Sequence, residues 1–275
     1  MESIKVLFVS QEITPYLPET EMSLICRTLP QAIQEQGKEI RTFMPRFGCI
    51  NERRNQLHEV IRLSGMNLII SDTDHPLIIK VASIQSARMQ VYFIDNDDYF
   101  SRKFTLLDEK GEPFADNDER AVFFCRGVIE TVRKLRWSPD VIHCHGWFTA
   151  LLPLIIKKSF RDDPLFAHSK MVISAYDDGF SNPFNKNFKS KVLMEGISKK
   201  DVSLLETPDY LNLMKLGVNY SDGVVIVNDR VNNDLVKHIE TSGKPYIRHD
   251  NQEGNNYTQD YSLLYDKILL QKQDE

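Results

Sequence analysis

The stretch Ile4-Lys5-Val6-Leu7-Phe8-Val9 is a short apolar run, which is typical of a parallel strand buried on both faces. Apolar residues then recur over residues 24–33 at the spacing of one helix face, and Gly37 supplies a C-terminal stop signal. Pro30 lies inside this helix and predicts a kink or a break. A second strand is expected over residues 39–43. Strand, helix and strand within about 40 residues predict an α/β fold, Rossmann-like and doubly wound around a mostly parallel sheet.

The rest of the chain continues this alternation. Further strands are predicted over residues 68–70, 76–84, 89–94, 140–143, 171–174 and 223–227, the first three partly antiparallel, and further helices over residues 118–136, 148–158, 208–218 and 231–239. The polar stretch 95–117 is of a length that is often functional. We expect one domain, residues 1–240, followed by residues 241–275 as a polar connector and an amphipathic helix that docks on the domain. One face of that helix carries Tyr261, Leu264, Tyr265 and Ile268.

Composition excludes several classes of protein. Hydrophobic residues make up 41% and charged residues 27%, which is ordinary for a globular chain and excludes disordered and collagen-like proteins. With 34 Lys and Arg against 39 Asp and Glu, the net charge is −5 and no basic run suggests nucleic acid. No apolar stretch approaches the ~18 residues of a membrane span, and the N-terminus lacks the pattern of a signal peptide. We therefore predict a cytoplasmic protein without nucleic-acid or membrane partners.

The cysteines support the same compartment. Cys26, Cys49, Cys125 and Cys144 form no CxxC pair, so we expect buried, free thiols in a reducing environment.

Glycine spacing excludes the commonest enzyme motifs. The two nearest glycines are Gly217 and Gly223, six residues apart. The dinucleotide fingerprint GxGxxG, the P-loop and the GxSxG nucleophile elbow all need closer glycines, and HExxH is also absent. No catalytic set and no cofactor can be singled out from these motifs.

The clearest polar cluster is His143-Cys144-His145-Gly146-Trp147, where a predicted strand ends. Ligands of open α/β sheets bind at the carboxyl ends of strands, which makes His145 a candidate ligand contact. Two histidines at strand spacing also permit a metal site. The structural alternative is that one histidine packs in the core and the other forms a local hydrogen bond.

Three further polar segments follow or precede predicted elements. Asp95-Asn96-Asp97-Asp98 could hold a divalent metal through Asp95 and Asp97, or form a solvated turn. Asn117-Asp118-Glu119-Arg120 could bind an anion at a helix N-terminus, with Asn117 or Asp118 acting only as N-cap as the alternative. Tyr176-Asp177-Asp178-Gly179 ends a strand, and a turn is its simplest interpretation.

Several stretches, taken in order, resemble the N-terminal domain of bacterial glycogen synthases and plant starch synthases, which are retaining glucosyltransferases of the two-domain GT-B architecture. The matching blocks are 5–15 (family KVLFVSSEVAP), 28–32 (ALPKAL), 43–48 (LPRYG), 91–102 (VYFIDNPxYFDR), 117–120 (DNAERF), 137–145 (WKPDVVHAHDW) and 213–222 (LKAGIVYAD). The resemblance covers about residues 4–240 and implies a single GT-B-type N-terminal domain. It implies candidate ligand-binding residues at Tyr99, Asn117, Arg120, His145, Tyr176 and Asp177, without a catalytic residue or a metal.

The sequence departs from the family at its donor loop. The family's KTGGLADV loop falls on residues 18–25, where its phosphate-contacting lysine becomes Pro18. Its two glycines become Thr20 and Glu21, and its aspartate becomes Leu24. Proline carries no charge, and Glu21 would repel a diphosphate. A side chain in place of glycine also prevents close approach of the backbone to a ligand.

Two more family positions differ. The aspartate of HDW becomes Gly146, and the histidine and asparagine of THN become Tyr176 and Asp177. In GT-B enzymes the C-terminal domain holds most of the nucleotide, and this chain ends where that domain would begin.

The resemblance and its departures imply a glycosyltransferase domain that is inactive on its own and serves as a binding or regulatory module. Expected partners are a nucleotide sugar or an α-glucan, a separate C-terminal transferase domain, or a second copy of the chain. The alternatives are one half of a split glucosyltransferase completed by a separate chain, and a metal-dependent transferase that uses Asp95 and Asp97.

Overall fold

The computed structural model describes residues 3–249 and 257–271. Its strands are β1 (Lys5–Ser10), β2 (Glu39–Pro45), β3 (His58–Glu59), β4 (Met66–Ile70), β5 (Thr73–Ile84), β6 (Met89–Asp95), β7 (Val141–His145), β8 (Lys170–Ala175), β9 (Gly223–Ile226) and β10 (Tyr246–Arg248). Its helices are α1 (Glu21–Glu35), α2 (Asp97–Phe100), α3 (Asn117–Leu135), α4 (Leu152–Ser159), α5 (Phe188–Val192), α6 (Tyr210–Asn219), α7 (Asn233–Thr241) and α8 (Tyr257–Leu270). Short 3₁₀ turns cover residues 85–87, 147–149 and 203–206.

The sheet has the order β10-β9-β8-β7-β1-β2-β6-β5-β3, and β4 pairs with β5. All pairs from β10 to β6 are parallel, whereas β5 pairs antiparallel with β3, β4 and β6. This confirms the predicted Rossmann-like α/β fold with a mostly parallel sheet. The central strands are apolar because helices cover both faces of a parallel sheet, and every residue of β7 and β8 is buried.

The strand order creates a crevice beside β1. The chain leaves β1 through α1 to reach β2 on one side, and it later returns to form β7 on the other side. In a doubly wound sheet, ligands bind at such a switch point, beyond the carboxyl ends of the strands. The segments that follow β1, β7, β8 and β9 meet at this edge.

Helix α1 differs from its prediction. It starts at Glu21 after a capping box, in which Thr20 accepts from the Ser23 amide and Ser23 accepts from the Thr20 amide. Of the predicted kink or break at Pro30, the break is wrong, because the helix continues through Pro30; Pro30 is buried, and core packing compensates for the lost backbone hydrogen bond. Leu24, assigned to the buried face, is 42% exposed.

The C-terminal segment adds a strand to the sheet edge and a helix that packs over β7 and β9. The three-residue strand β10 pairs parallel with β9 and was not predicted, because so short a run carries no periodic signal. Tyr261, Leu264, Tyr265 and Ile268 of α8 are all buried. The Tyr265 hydroxyl lies 2.6 Å from Nδ1 of the buried His143. Residues 250–256 of the predicted connector lie outside the described residues.

All four cysteines are free, but only three are buried. Burial raises the pKa of the Cys26, Cys125 and Cys144 thiols, which keeps them protonated and unreactive. Cys49 is exposed in the loop after β2, so the expectation that every thiol is buried is wrong. Within residues 3–249 and 257–271, no helix combines the length and apolar character needed to cross a bilayer.

Candidate functional site

A cavity of about 770 Å³ lies beyond the carboxyl ends of β1, β7, β8 and β9. The loop after β1, the start of α1, the loops after β7, β8 and β9, and residues between 105 and 117 together form the wall. The described residues that line the cavity lie at positions 11, 12, 20–22, 105–107, 112–115, 117, 147, 176–180, 182–185, 228 and 230. The strand ends, where the sequence predicted ligand contacts, therefore border a cavity large enough for a small ligand.

Aromatic rings form much of the wall. The Trp147 ring lies 5.0 Å from Phe180 and 5.6 Å from Phe184, and the last two stack with centroids 4.4 Å apart. Trp147 is only 3% exposed and supports Phe180 and Phe184 from behind, so these two partly exposed rings supply the accessible apolar surface. Such surfaces suit the apolar faces of ring-shaped ligands.

The charges in the cavity are mainly negative. Among the described lining residues, five carry carboxyl groups and only Arg230 is basic; the five are Glu12, Glu21, Glu112, Asp177 and Asp178. Arg230 is already paired, 3.0 Å from Glu21 and 3.7 Å from Asp177. An anionic ligand would therefore meet like charges in a partly enclosed site, where screening is weaker than in bulk water.

The N-terminus of α1 is satisfied by the protein itself. The capping box of Thr20 and Ser23 occupies free amide groups that could otherwise bind an anion. Glu21 places its own carboxylate in the first turn, where Asn228 and Arg230 donate to it at 2.5 and 3.0 Å. The segment that resembles the donor loop thus presents a carboxylate to the cavity.

The structure brings three of the predicted site residues to the cavity: Asn117, Tyr176 and Asp177. His145 lies beneath them, fully buried, with Nδ1 2.8 Å from the Tyr176 hydroxyl. Burial, with the nearby His249 adding a smaller effect, lowers the pKa of His145 to about 3, so its imidazole is neutral. In this structure His145 orients Tyr176 rather than lining the cavity itself.

Arg120 is also buried and stands behind the wall. It donates to Asn117 Oδ1 at 2.6 Å, and its guanidinium lies 5.2–5.4 Å from the ring centres of Phe47, Phe100 and Phe114. Burial lowers the pKa of Arg120 to about 9. The expected N-cap role of Asn117 or Asp118 is wrong: both are inside α3, and Asp116 precedes it without a side-chain cap.

Tyr99 lies away from the cavity. Its hydroxyl donates to Glu119 Oε2 at 3.1 Å and lies 3.0 Å from His75 Nε2. Glu119 in turn lies 2.9 Å from Lys191, which also pairs with Asp118 at 2.7 Å. This group links α2, α3 and α5.

The metal hypotheses gain no support from the geometry. Asp95 is buried and pairs with Arg46 at 2.8 Å and Lys80 at 3.0 Å, so its charge is already balanced. Both ring nitrogens of His143 have hydrogen-bond partners, Tyr265 and Ser174. Over residues 3–249 and 257–271, no three His, Cys, Asp or Glu side chains are grouped as metal ligands.

Asp178 lines the cavity but was not among the predicted site residues, because residues 176–179 were interpreted as a turn from the sequence. Its Oδ2 accepts from the Trp147 amide at 2.9 Å, and its Oδ1 accepts from the Tyr210 hydroxyl at 3.2 Å. Burial is the largest effect on this carboxyl, and it raises the pKa of Asp178 to about 7. No local pattern could reveal this contact, since residues 147 and 178 meet only through the pairing of β7 with β8.

We expect Asp178→Asn to alter how stability depends on pH. Between about pH 4 and pH 7 the folded state retains a proton that the unfolded state has lost, so the free energy of unfolding falls as pH rises. The shift corresponds to about 2–4 kcal/mol across this window. Glu12, Tyr176 and Tyr210 face the same carboxyl, and Glu12 favours its protonated form.

Thermal unfolding at pH 5, 6, 7 and 8 tests this expectation. The Tm of Asp178→Asn relative to wild type should rise with pH and level off above pH 7. Asp162→Asn, which removes an exposed carboxylate, is the control and should follow wild type. Parallel curves of Tm against pH for all three proteins would show that folding does not raise the pKa of Asp178.

Comparison with known proteins identifies the family of this chain. The family described as the starch synthase catalytic domain matches residues 5–246. The glycogen synthase of Chlorobium luteolum is 35% identical over 243 residues, which cover 87% of this chain and 48% of the relative. That of Chlorobium limicola is 34% identical over 221 residues, which cover 80% and 45%. This chain thus spans about half the length of the curated relatives it matches.

The fold agrees with that of a solved relative. The catalytic domain of starch synthase IV from Arabidopsis thaliana, bound to ADP and acarbose, superposes with a TM-score of 0.73 at 16% identity, covering 90% of this chain and 51% of that chain. The resemblance inferred from the sequence blocks is therefore confirmed. Since the family match extends over most of its length, the chain belongs to the glycogen/starch synthase family and carries that family's catalytic-domain fold.

Proposed function

We propose that this glycosyltransferase-like domain binds α-glucan chains in its cavity and does not transfer glucose on its own. The observation that carries the proposal is the chemistry of the cavity wall, with stacked aromatic rings beside five carboxyl groups and one paired arginine. Sugars are neutral, their hydroxyl groups donate to carboxylates, and their apolar faces pack on aromatic rings. A neutral glucan therefore suits both the aromatic rings and the carboxyl groups of this wall.

A nucleotide sugar fits the same wall poorly. A diphosphate at the start of α1 would approach the Glu21 carboxylate, and Pro18 supplies no charge where the resemblance places a lysine. Stabilising the departing diphosphate is a main requirement of glucosyl transfer, and loss of one well-placed donor costs about 10²–10³ in rate. The substitutions at Pro18, Thr20 and Glu21 together support an inactive, pseudoenzyme-like domain.

The predicted site residues take two roles in this proposal. Asn117, Tyr176 and Asp177 contact the glucan, while His145 and Arg120 hold Tyr176 and Asn117 in place. Tyr99 supports the neighbouring helices. We propose residues 1–240 as the domain and residues 241–275 as its connector and docking helix, with β10 of the connector joined to the sheet. We also propose a cytoplasmic location, where the exposed Cys49 thiol stays reduced.

Titration with maltoheptaose, ADP-glucose and UDP-glucose tests the proposal. The chain has two tryptophans, and only Trp147 lines the cavity, so Trp137→Phe isolates a fluorescence signal from the site. Maltoheptaose should change this signal with a Kd between about 1 µM and 1 mM. The nucleotide sugars should leave it unchanged.

Radiolabel transfer to glycogen is the matching activity test. The purified chain should incorporate no glucose from either nucleotide sugar. Transfer by the chain alone, or binding of ADP-glucose but not maltoheptaose, would contradict the proposal. Activity that arises only after adding a separately expressed C-terminal domain of a glycogen synthase would instead favour the split-enzyme alternative.

A further inference from the structure

Gly146 has a backbone that leaves no room for a side chain. Its φ is +78° and its ψ is 176°, a region that is essentially restricted to glycine. A Cβ atom added there would overlap Asp178 Oδ2 and lie 2.6 Å from Met22 Cε. The carboxylate of Asp178 therefore occupies the space directly above residue 146.

Asp178 reaches this space because β7 and β8 are neighbours. His145 at the end of β7 pairs in parallel with Ser174 of β8, so the residues that follow each strand leave the sheet side by side. The resemblance places an aspartate at position 146. This chain instead carries a glycine there and a carboxylate on the adjacent loop, in contact with the same backbone.

The Asp178 carboxylate is held in a defined orientation. The Trp147 amide and the Tyr210 hydroxyl fix one oxygen each, and the same hydroxyl lies 2.8 Å from the Tyr176 carbonyl oxygen. Arg230 pairs with Glu21 and Asp177, and no ion pair among the described residues includes Asp178, although Asp178 lines the cavity. An ionised carboxylate offers about four acceptor positions, and the Trp147 amide, the Tyr210 hydroxyl and the Asp178 amide use three of them. The remaining capacity is available to a ligand.

We propose that Asp178 binds a hydroxyl group of a glucosyl unit in the cavity, in place of the carboxylate that the resemblance puts at position 146. This rests on the proposed function, since it identifies a ligand contact for the same glucan. The Trp147 amide fixes the carboxylate, and the glucosyl unit packs on the partly exposed rings of Phe180 and Phe184. Asp178 is thus a specificity-determining residue supplied by a different strand end.

The test compares maltoheptaose binding by wild type, Asp178→Ala and Asp178→Asn at pH 6, 7 and 8. Asp178 is ionised at pH 8, where loss of a hydrogen bond to a charged acceptor is worth about tenfold or more in affinity, so Asp178→Ala should bind at least tenfold more weakly at that pH. Asp178→Asn keeps one acceptor and should show a smaller loss. The affinity of wild type for maltoheptaose should increase from pH 6 to pH 8 as Asp178 loses its proton, whereas the affinity of Asp178→Asn should stay constant.

Two outcomes separate the inference from the proposed function. If wild type fails to bind maltoheptaose, the proposed function is wrong. If wild type binds and Asp178→Ala is within twofold of it, the function stands and the Asp178 contact is wrong. Circular dichroism confirms folding of each variant; should Asp178→Ala not fold, a pH profile of Asp178→Asn identical to wild type overturns the inference. Asp162→Asn, remote from the cavity, should bind as wild type does.

Discussion

Gly146→Ala is expected to lower the free energy of unfolding by about 4 kcal/mol. Two effects add: alanine at φ +78° and ψ 176° costs ~1–3 kcal/mol in backbone strain. The new methyl group also overlaps Asp178 Oδ2 and Met22 Cε, and overpacking costs a further ~1–3 kcal/mol. Because Gly146 connects β7 to the cavity wall, relaxing either effect requires moving a strand end or the Asp178 loop.

Urea unfolding of Gly146→Ala and Gly37→Ala provides the measurement. Gly37 also has a positive φ, +87°, but nothing lies within 4 Å of an added Cβ, so it reports backbone strain without the overlap. Gly146→Ala should therefore be the more destabilising by about 2 kcal/mol. Adding Asp178→Gly to Gly146→Ala should recover part of the difference. Equal costs for the two glycines would mean that the Asp178 carboxylate does not fill this space.

Tyr265→Ala should have a similarly large effect, about 4 kcal/mol. Tyr265 lies on the inner face of α8, and its ring is fully buried. Truncating the ring leaves a cavity that the close-packed neighbours fill only partly. The substitution also removes the hydroxyl partner of the buried His143 Nδ1 at 2.6 Å. An imidazole nitrogen left without a partner in the core adds its desolvation cost to the cavity.

Tyr265→Phe separates the two contributions, because it retains the ring and removes only the hydroxyl; it should cost about 1–2 kcal/mol. Tyr246→Phe, on an exposed ring, is the matched control and should be within ~0.5 kcal/mol of wild type. Denaturant unfolding followed by far-UV circular dichroism gives all three values. A separate early transition for α8, with the main transition unchanged in Tyr265→Ala, would argue against the helix as an integral part of the fold.

Much of the fold followed from local patterns. The run Ile4-Lys5-Val6-Leu7-Phe8-Val9 and the later apolar segments predicted the central parallel strands, because strands buried on both faces need continuous apolar residues. Helix α3 was predicted to within one residue at each end. Strand β10 was not predicted, and the sequence left open whether α1 would continue through Pro30, since packing outside the segment decides both.

The site was predicted in outline but not in its contacts. Tyr176 and Asp177 line the cavity because residues that follow parallel strands gather at one edge of the sheet, a rule that sequence alone can apply. The burial of His145 and Arg120 behind that wall was not foreseeable, because a polar side chain in a sequence carries no sign of which neighbours surround it.

The sequence by itself determined the alternation of the central strands and longer helices, the family, and the loss of the basic residue at Pro18. Each of these depends on residue identity or on spacing along the chain. Only the tertiary structure decided that Asp178 fills the space above Gly146 and that Glu21 pairs with Arg230. Those contacts join residues 32 and 209 positions apart, and they exist because the twist and pairing of the sheet bring distant loops to one edge.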